Sequence, residues 1–303
     1  AFICLSSIRL YNSKPRPSIK RKMDSRLRYI APLFALLIFI KGCTSNSEWI
    51  NDLPKPWKIS EEEFTRIIPM FHKKFPDFHD RLKAFSSWQI GTPYKIFCLG
   101  EEIDPDPDPI FRLDVSDCTV HILTNLASIQ SQSWEESKSK IIKIHYKENE
   151  KGIAVPNYKD RWHFTTDRIQ DNPSTRDITR SVAATKDLER IDITLNEKNN
   201  GKEFLDLGWQ RKTTAYFIPS DKISMKVMSN LPEVVGVAFV KRSYFKMGLV
   251  VAHEGIIVDQ KDIIHASQEF EKTVQMNFME YYFENESPRF DGIMMFSFHP
   301  LEG

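Results

Sequence analysis

Residues 250–267 read VVAHEGIIVDQKDIIHAS, two apolar runs that each carry one histidine. Short runs rich in Val and Ile between polar residues are typical of β-strands. The polar segment at 259–262 (DQKD) predicts a turn that joins the two runs as an antiparallel pair. His253 and His265 are twelve residues apart, and such a pairing brings their imidazoles close together.

The C-terminal part of the chain has the same strand-like character. The runs lie at 234–240, 248–253, 256–258, 263–266 and 293–298. Residues 171–229 are rich in Lys, Asp, Thr and Asn with weak periodicity, so we expect loops and short helices there. Helices followed by strands predict an α+β domain, with N-terminal helices packed on a C-terminal antiparallel sheet.

The N-terminal part shows helical signals. Ser60 followed by Glu63 forms a capping box, with apolar residues next at helical spacing, although Pro69 should kink or split this helix. Further helices are expected at 78–88, from Cys118 onward, and up to about residue 143. Asp and Pro alternate at 104–109, which predicts an exposed loop because proline disrupts both helix interiors and central strands.

Composition excludes several classes of protein. The chain has 303 residues, 41% of them hydrophobic, and a net charge of +1, which excludes global disorder and argues against a nucleic-acid partner. No apolar run reaches the ~20 residues of a membrane span. Four cysteines are too few for a disulfide-built scaffold.

The basic N-terminus differs from the remainder. Residues 1–42 hold nine Lys/Arg and one Asp, which leaves 33 basic and 40 acidic side chains, a net charge of −7, in residues 43–303. Basic residues, the apolar run at 30–40 and a small residue before Cys43 are typical of a secretory signal. The boundary resembles the lipobox of bacterial lipoproteins, in which the cysteine is acylated, although Lys41 departs from it. An uncleaved signal anchor or a buried helix is the alternative.

These features suggest a division of the chain into three parts. We expect an upstream segment and signal at 1–42, a tether at 43–59 and one domain at 60–303.

The cysteine of DCT at 117–119 is a candidate nucleophile. Asp117 can cap a helix that begins at Cys118, and a helix N-terminus stabilises the thiolate that attacks a carbonyl. On its own, a cysteine here is more often a small buried apolar residue. Cys98 is interpreted as a packing residue, with a disulfide to Cys118 as the alternative.

A cysteine, a histidine base and a second polar group that orients the base form the machinery of cysteine hydrolases. Each of His253 and His265 is also explained as a structural histidine. Cysteine and histidine bind zinc too, but position 257 is Ile, so the HExxH pattern of zinc peptidases fails. His121 lies on the same predicted helix as Cys118 and has no assigned role.

Several motifs occur together in one order. They are GTPY at 91–94, DCT at 117–119, RWHF at 161–164, HEGI at 253–256 and HAS at 265–267. In this order they resemble the bacterial N-acetylmuramoyl-L-alanine amidase-like family, relatives of the NlpC-type cell-wall cysteine peptidases with a papain-like fold. The similarity covers roughly residues 60–300.

The resemblance implies a role for each candidate residue. Cys118 would be the nucleophile, His253 the general base and His265 the residue that orients it. Tyr94 would line the site and help to hold the oxyanion. The substrate cleft would be lined by Arg161 and His163.

The implied activity is cysteine-dependent hydrolysis of peptidoglycan, at the amide bond between N-acetylmuramic acid and L-alanine. No metal or organic cofactor is needed. The implied location is the bacterial cell envelope, as an exported, periplasm-facing lipoprotein held to the membrane through Cys43. The alternatives are a stem-peptide endopeptidase of the NlpC type and a catalytically inactive envelope binding protein of the same fold.

Two departures from the family pattern bear on these alternatives. The family usually continues its Cys-Thr motif with Thr-Phe-Val-Glu, whereas residues 120–123 here are VHIL, so that Leu123 stands where a carboxylate is expected. The Asp-Pro segment at 104–109 is also unusual for the family. Both changes bear on substrate preference, and the first motivates the inactive-protein alternative.

Overall fold

The computed structural model describes residues 46–301. The predicted signal at 1–42 and the lipidation candidate Cys43 lie outside the described residues. Within residues 46–301, no helix is both long and apolar enough to cross a membrane.

The helices lie mostly in the first half of the described chain. They are α1 (Asn46–Asp52), α2 (Glu61–Lys74), α3 (Phe78–Trp88), α4 (Cys118–Ser128), α5 (Trp134–His145), α6 (Thr165–Asp171), α7 (Thr179–Val182), α8 (Met225–Met228) and α9 (Phe278–Tyr282). The Asp-Pro segment at 104–109 forms no helix or named strand, as predicted, and three of its six residues are exposed while the other three are partly buried.

The strands follow in the second half. They are β1 (Thr175–Asp177), β2 (Glu189–Leu195), β3 (Arg211–Pro219), β4 (Val234–Val240), β5 (Val251–Val258), β6 (Asp262–Ser267), β7 (Lys272–Asn277), β8 (Phe283–Glu284), β9 (Ser287–Pro288) and β10 (Gly292–Phe298). The main sheet has the order β2-β3-β10-β4-β5-β6-β7, β1 pairs with β10, and the ladders are antiparallel. This mixture of helices and an antiparallel sheet confirms the α+β prediction.

The N-terminal helices begin where the sequence predicts. The Ser60 side chain accepts from the backbone N–H of Glu63, and the Glu63 carboxylate accepts from the N–H of Ser60, which satisfies two otherwise unpaired donors. Helix α2 continues across Pro69 without a break. Its buried face joins α3, α4 and α5 in the apolar core, to which β4, β5 and β10 also contribute.

The packed part of the chain begins before residue 60. The predicted tether at 43–59 overlaps helix α1, and the Trp49 ring meets the Phe71 ring edge-on at 5.0 Å. Trp49, Ile50 and Leu53 are partly buried against the main core.

The sheet is larger than predicted. The interpretation of 171–229 as loops and short helices is wrong at β1, β2 and β3. Strand β2 pairs with β3 from Glu189 opposite Phe217 to Leu195 opposite Arg211. Strand β3 is anchored by Ile218 opposite Ile293 of β10, a distant contact that outweighs the weak local pattern. Strand β5 also runs unbroken through Gly255, where the sequence predicted two separate runs.

Candidate functional site

Cys118 is the first residue of helix α4, as predicted. The Asp117 carboxylate accepts from the backbone N–H groups of Thr119 and Val120 at 3.0 and 2.8 Å and from that of Phe97 at 3.1 Å. Burial raises the pKa of Asp117, whereas these three donors act in the opposite direction. The cap fixes the start of the helix and therefore the position of the cysteine.

The two histidines lie on neighbouring antiparallel strands. Strands β5 and β6 pair with Val258 opposite Asp262, which confirms the predicted turn. Nε2 of His253 lies 2.8 Å from Nδ1 of His265. Gly255 lies close to His265 in this pair, and a Cβ there would crowd Ile263 Cδ1 at 2.9 Å and the Cβ of His265 at 3.0 Å.

Both imidazoles are enclosed by aromatic rings. His253 stacks on Phe239 with ring centroids 5.4 Å apart, and the His265 ring lies 4.5 Å from that of Tyr281. Burial, with a smaller contribution from His253, holds the pKa of His265 well below its usual range. His265 is therefore neutral and can accept a hydrogen bond at Nδ1 from His253.

Cys118 and His253 line the same narrow pocket, together with His163 and Glu254. Helix α4 packs against β5 and β6, and its first turn contacts β5 where the Thr119 hydroxyl donates to Glu254, the residue after His253. The pocket holds about 30 Å³, and Cys118 is 4% exposed. Cys98 and Cys118 are both free thiols, so the alternative of a disulfide between them is not formed in this structure.

Glu254 is a buried carboxylate that the sequence analysis did not single out. It forms an ion pair with Arg168, and both side chains are 1% exposed. Its Oε1 also accepts from the Thr119 hydroxyl at 2.7 Å, which ties the strand to the residue after the cysteine. A charged residue inside the apolar run of β5 was the available signal, but its partner Arg168 is 86 positions away.

The cleft residues implied by the resemblance lie in different surroundings. His163 lines the cysteine pocket, and its Nε2 contacts the Tyr158 carbonyl oxygen. Burial lowers the pKa of His163 to about 3. Arg161 lines an adjoining pocket together with Asp117 and Thr119.

Arg161 is held by two carboxylates of the Asp-Pro region. It donates to Glu101 at 2.5 Å and to Asp106 at 2.8 Å. Leu123, which stands where the family has a carboxylate, lines the same adjoining pocket and is fully buried in the main core. Carboxylates for Arg161 therefore come from the loop that precedes helix α4.

Tyr94 lies beside the start of helix α4. Its backbone bridges to Ser116, two residues before Cys118, and its N–H donates to the Glu271 carbonyl at 2.9 Å. The half-buried tyrosine is thus fixed between the cysteine segment and the end of the sheet.

His121 is buried one helical turn after Cys118. The Asn125 amide donates to its Nδ1 at 3.2 Å, so the ring proton lies on Nε2. Burial, with a contribution from His253, lowers its pKa to about 3. His121 is therefore a neutral neighbour of the histidine pair.

Across residues 46–301, no group of three or more His, Cys, Asp or Glu side chains is arranged to hold a metal ion.

Comparison with known proteins gives one family and several structures of similar fold. The sequence model of the N-acetylmuramoyl-L-alanine amidase-like family matches residues 84–290. A Legionella pneumophila protein is similar over 79% of this chain and 95% of its own, with a TM-score of 0.63 and 21% identity. An N-acetylmuramoyl-L-alanine amidase from Bacteroides uniformis is similar over 72% of this chain and 98% of its own, with a TM-score of 0.55 and 18% identity. No curated protein matches significantly.

Proposed function

The chain belongs to the N-acetylmuramoyl-L-alanine amidase-like family, and on that premise we propose that it is a peptidoglycan amide hydrolase with Cys118 as its nucleophile. One observation carries the proposal: Cys118, at the capped start of α4, lines the same pocket as His253. His253 is in turn hydrogen-bonded to His265. A helix that presents a cysteine to a histidine-bearing antiparallel sheet is also what the papain-like fold requires.

In the first half-reaction, the Cys118 sulfur attacks the carbonyl carbon of the amide. Nε2 of His253 is engaged with His265, so Nδ1 is the nitrogen that takes the thiol proton. The C–N bond then breaks, and His253 returns this proton to the leaving amine. The acyl group remains on sulfur as a thioester.

In the second half-reaction, water attacks the thioester carbonyl. His253 removes a proton from the water, the C–S bond breaks, and the thiolate recovers the proton from His253. His265 acts as a positioning residue throughout, because its neutral Nδ1 accepts from His253 and fixes the orientation of that ring.

Tyr94 is the proposed donor to the oxyanion. Its backbone bridges to Ser116, two residues before Cys118, and a phenol hydroxyl close to the thiol would stabilise negative charge on the carbonyl oxygen. His163 would line the substrate cleft directly. Arg161 would shape it from the adjoining pocket.

The proposed bond joins the lactyl carboxyl group of N-acetylmuramic acid to the amino group of L-alanine. This choice of bond is supported by the family, which is described as N-acetylmuramoyl-L-alanine amidase-like. Stem-peptide cleavage after D-glutamate and an inactive binding protein remain the competing outcomes. Leu123 lines the adjoining pocket together with Arg161, whose carboxylate partners are Glu101 and Asp106.

The proposed location is the cell envelope, where the substrate lies. Acylation of Cys43 would hold the protein at the membrane. A mature domain with a net charge of −7 would recognise an anionic wall through hydrogen bonds in the cleft rather than through bulk charge.

Digestion of purified muropeptides, followed by mass spectrometry of the products, tests this function. We expect the wild-type protein to release intact stem peptides that begin with L-alanine, and the Cys118→Ala variant to release none. Fragments cut after D-glutamate would show that the protein is an endopeptidase rather than an amidase. If the mass spectra show only unreacted substrate for both proteins across several muropeptides, the proposed hydrolase activity is refuted.

A further inference from the structure

A surface groove lies beside the cysteine pocket, between the Asp-Pro loop and residues 147–160. Its volume is about 510 Å³, within the range of small-ligand sites, whereas the cysteine pocket holds only about 30 Å³. Substrate beyond the scissile amide therefore needs another surface, and this groove has the required size.

The groove collects exposed apolar side chains. Ile103, Ile153 and Val155 line it and are 66%, 54% and 48% exposed. Exposed large apolar residues that cluster in one concave surface are typical of a binding site. One of its walls is the loop by which this sequence departs from the family pattern.

The groove also carries uncompensated negative charge. Asp104 and Asp160 line it and are exposed, and the ion pairs within residues 46–301 include neither carboxylate. The lining cation, Lys147, is already paired with Asp167 at 2.6 Å. A ligand that complements this surface has apolar groups and a positively charged group, such as an ammonium.

A contact between Tyr158 and His163 connects the lining of the groove to the lining of the cysteine pocket. Tyr158 lines the groove, its ring lies 4.8 Å from the His163 ring, and its carbonyl oxygen contacts His163. His163 in turn lines the cysteine pocket. The groove therefore lies one residue contact away from the pocket that holds Cys118.

We propose that this groove binds the ammonium-bearing diamino-acid residue of the stem peptide. The inference rests on the proposed function for the identity of the peptide. Ile103, Ile153 and Val155 would contact aliphatic parts of the peptide, and the carboxylates of Asp104 and Asp160 would attract the ammonium group.

Calorimetric titration of the Cys118→Ala protein separates binding from turnover. The probes are muramyl-L-Ala-γ-D-Glu-L-Lys and the same compound acetylated on the lysine side chain. We expect the free ammonium form to bind about fivefold more tightly at low salt, the size of a partly exposed charge pair. Added D104N/D160N should remove this preference, whereas the control D52N/D221N, which alters two exposed aspartates elsewhere, should retain it. I153S should weaken both probes equally.

Equal affinity for the two probes, or a preference that survives D104N/D160N, would overturn the proposal. Absence of binding by either probe would also overturn it. Incubation of the same probes with the wild-type protein distinguishes the two failures. Release of tripeptide without a preference for the ammonium form would support the hydrolase and refute the proposed role of the groove. A preference for the ammonium form without release of tripeptide would support the groove and refute the hydrolase.

Discussion

Nε2 of His253 lies 2.8 Å from Nδ1 of His265, across two adjacent antiparallel strands. His265 is neutral because its burial disfavours the charged form, so its Nδ1 can accept a hydrogen bond from the protonated Nε2 of His253. This contact fixes the orientation of the His253 ring and leaves its Nδ1 for the proposed proton transfer from Cys118.

Removal of the hydrogen-bond acceptor at position 265 should make His253 a weaker general base, because its ring is no longer held in place. We expect His265→Ala to lower kcat/KM by about 100-fold, in the range of losses seen when an acid–base group is misplaced. His265→Asn, whose amide oxygen can accept from His253, should lose only about tenfold. Steady-state kinetics on muropeptides would measure both. Equal losses in the two variants would show that the hydrogen bond is unimportant.

Alkylation should distinguish the two buried thiols. Cys98 is fully buried, and burial raises its pKa, whereas Cys118 lies at a helix N-terminus beside the His253 pocket. Iodoacetamide near neutral pH should therefore label Cys118 first, as read by peptide mass spectrometry. His253→Ala should slow that labelling, and Cys98→Ala should not. Faster labelling of Cys98 would argue against an activated thiolate at position 118.

The ion pair between Arg168 and Glu254 should be a major stability element. Both side chains are 1% exposed, so Glu254→Gln leaves a buried guanidinium without its counter-charge. We expect a loss of about 3 kcal/mol in the free energy of unfolding, measured by urea denaturation. The control Asp192→Asn removes an exposed partner of Arg190 and should change nothing measurable. Similar stabilities for the two variants would contradict this role.

Buried neutral histidines should make the fold sensitive to acid. Burial lowers the pKa of His121 from 6.5 to about 3, so between these pH values the unfolded chain binds more protons than the folded one. Stability is therefore full above about pH 6.5 and falls as the pH decreases towards 3.

His121→Phe should lower the pH slope of the unfolding free energy by about one proton in this window, or about 1.4 kcal/mol per pH unit. Urea denaturation at several pH values measures the slope. Leu126→Ala, a buried change on the same helix, should lower stability at every pH and leave the slope unchanged. An unaltered slope in His121→Phe would show that His121 is protonated alike in both states.

The parts of the fold that local pattern determines were predictable. The capping box at Ser60 and the cap at Asp117 each depend on neighbouring residues, and both formed as predicted. The β5–β6 hairpin follows from two apolar runs and one polar turn. Strand β3 was missed because its place in the sheet depends on Ile293, which is 75 positions from Ile218 along the chain.

The difference between local and long-range contacts also explains which parts of the candidate site were predictable. The proximity of His253 and His265 followed from a short turn. The pairing of Glu254 with Arg168, and that of Arg161 with Glu101 and Asp106, joins segments far apart in the sequence. Spacing along the chain carries no information on such pairs.

The central claim is that Cys118 forms a covalent bond to the substrate acyl group. The direct measurement is mass spectrometry of the wild-type protein, quenched in acid during turnover of a muramyl peptide and then digested. We predict a muramoyl thioester on the peptide that contains Cys118, and neither adduct nor product with Cys118→Ala. Release of stem peptide by the Cys118→Ala variant, or an adduct on a different residue, would contradict the account.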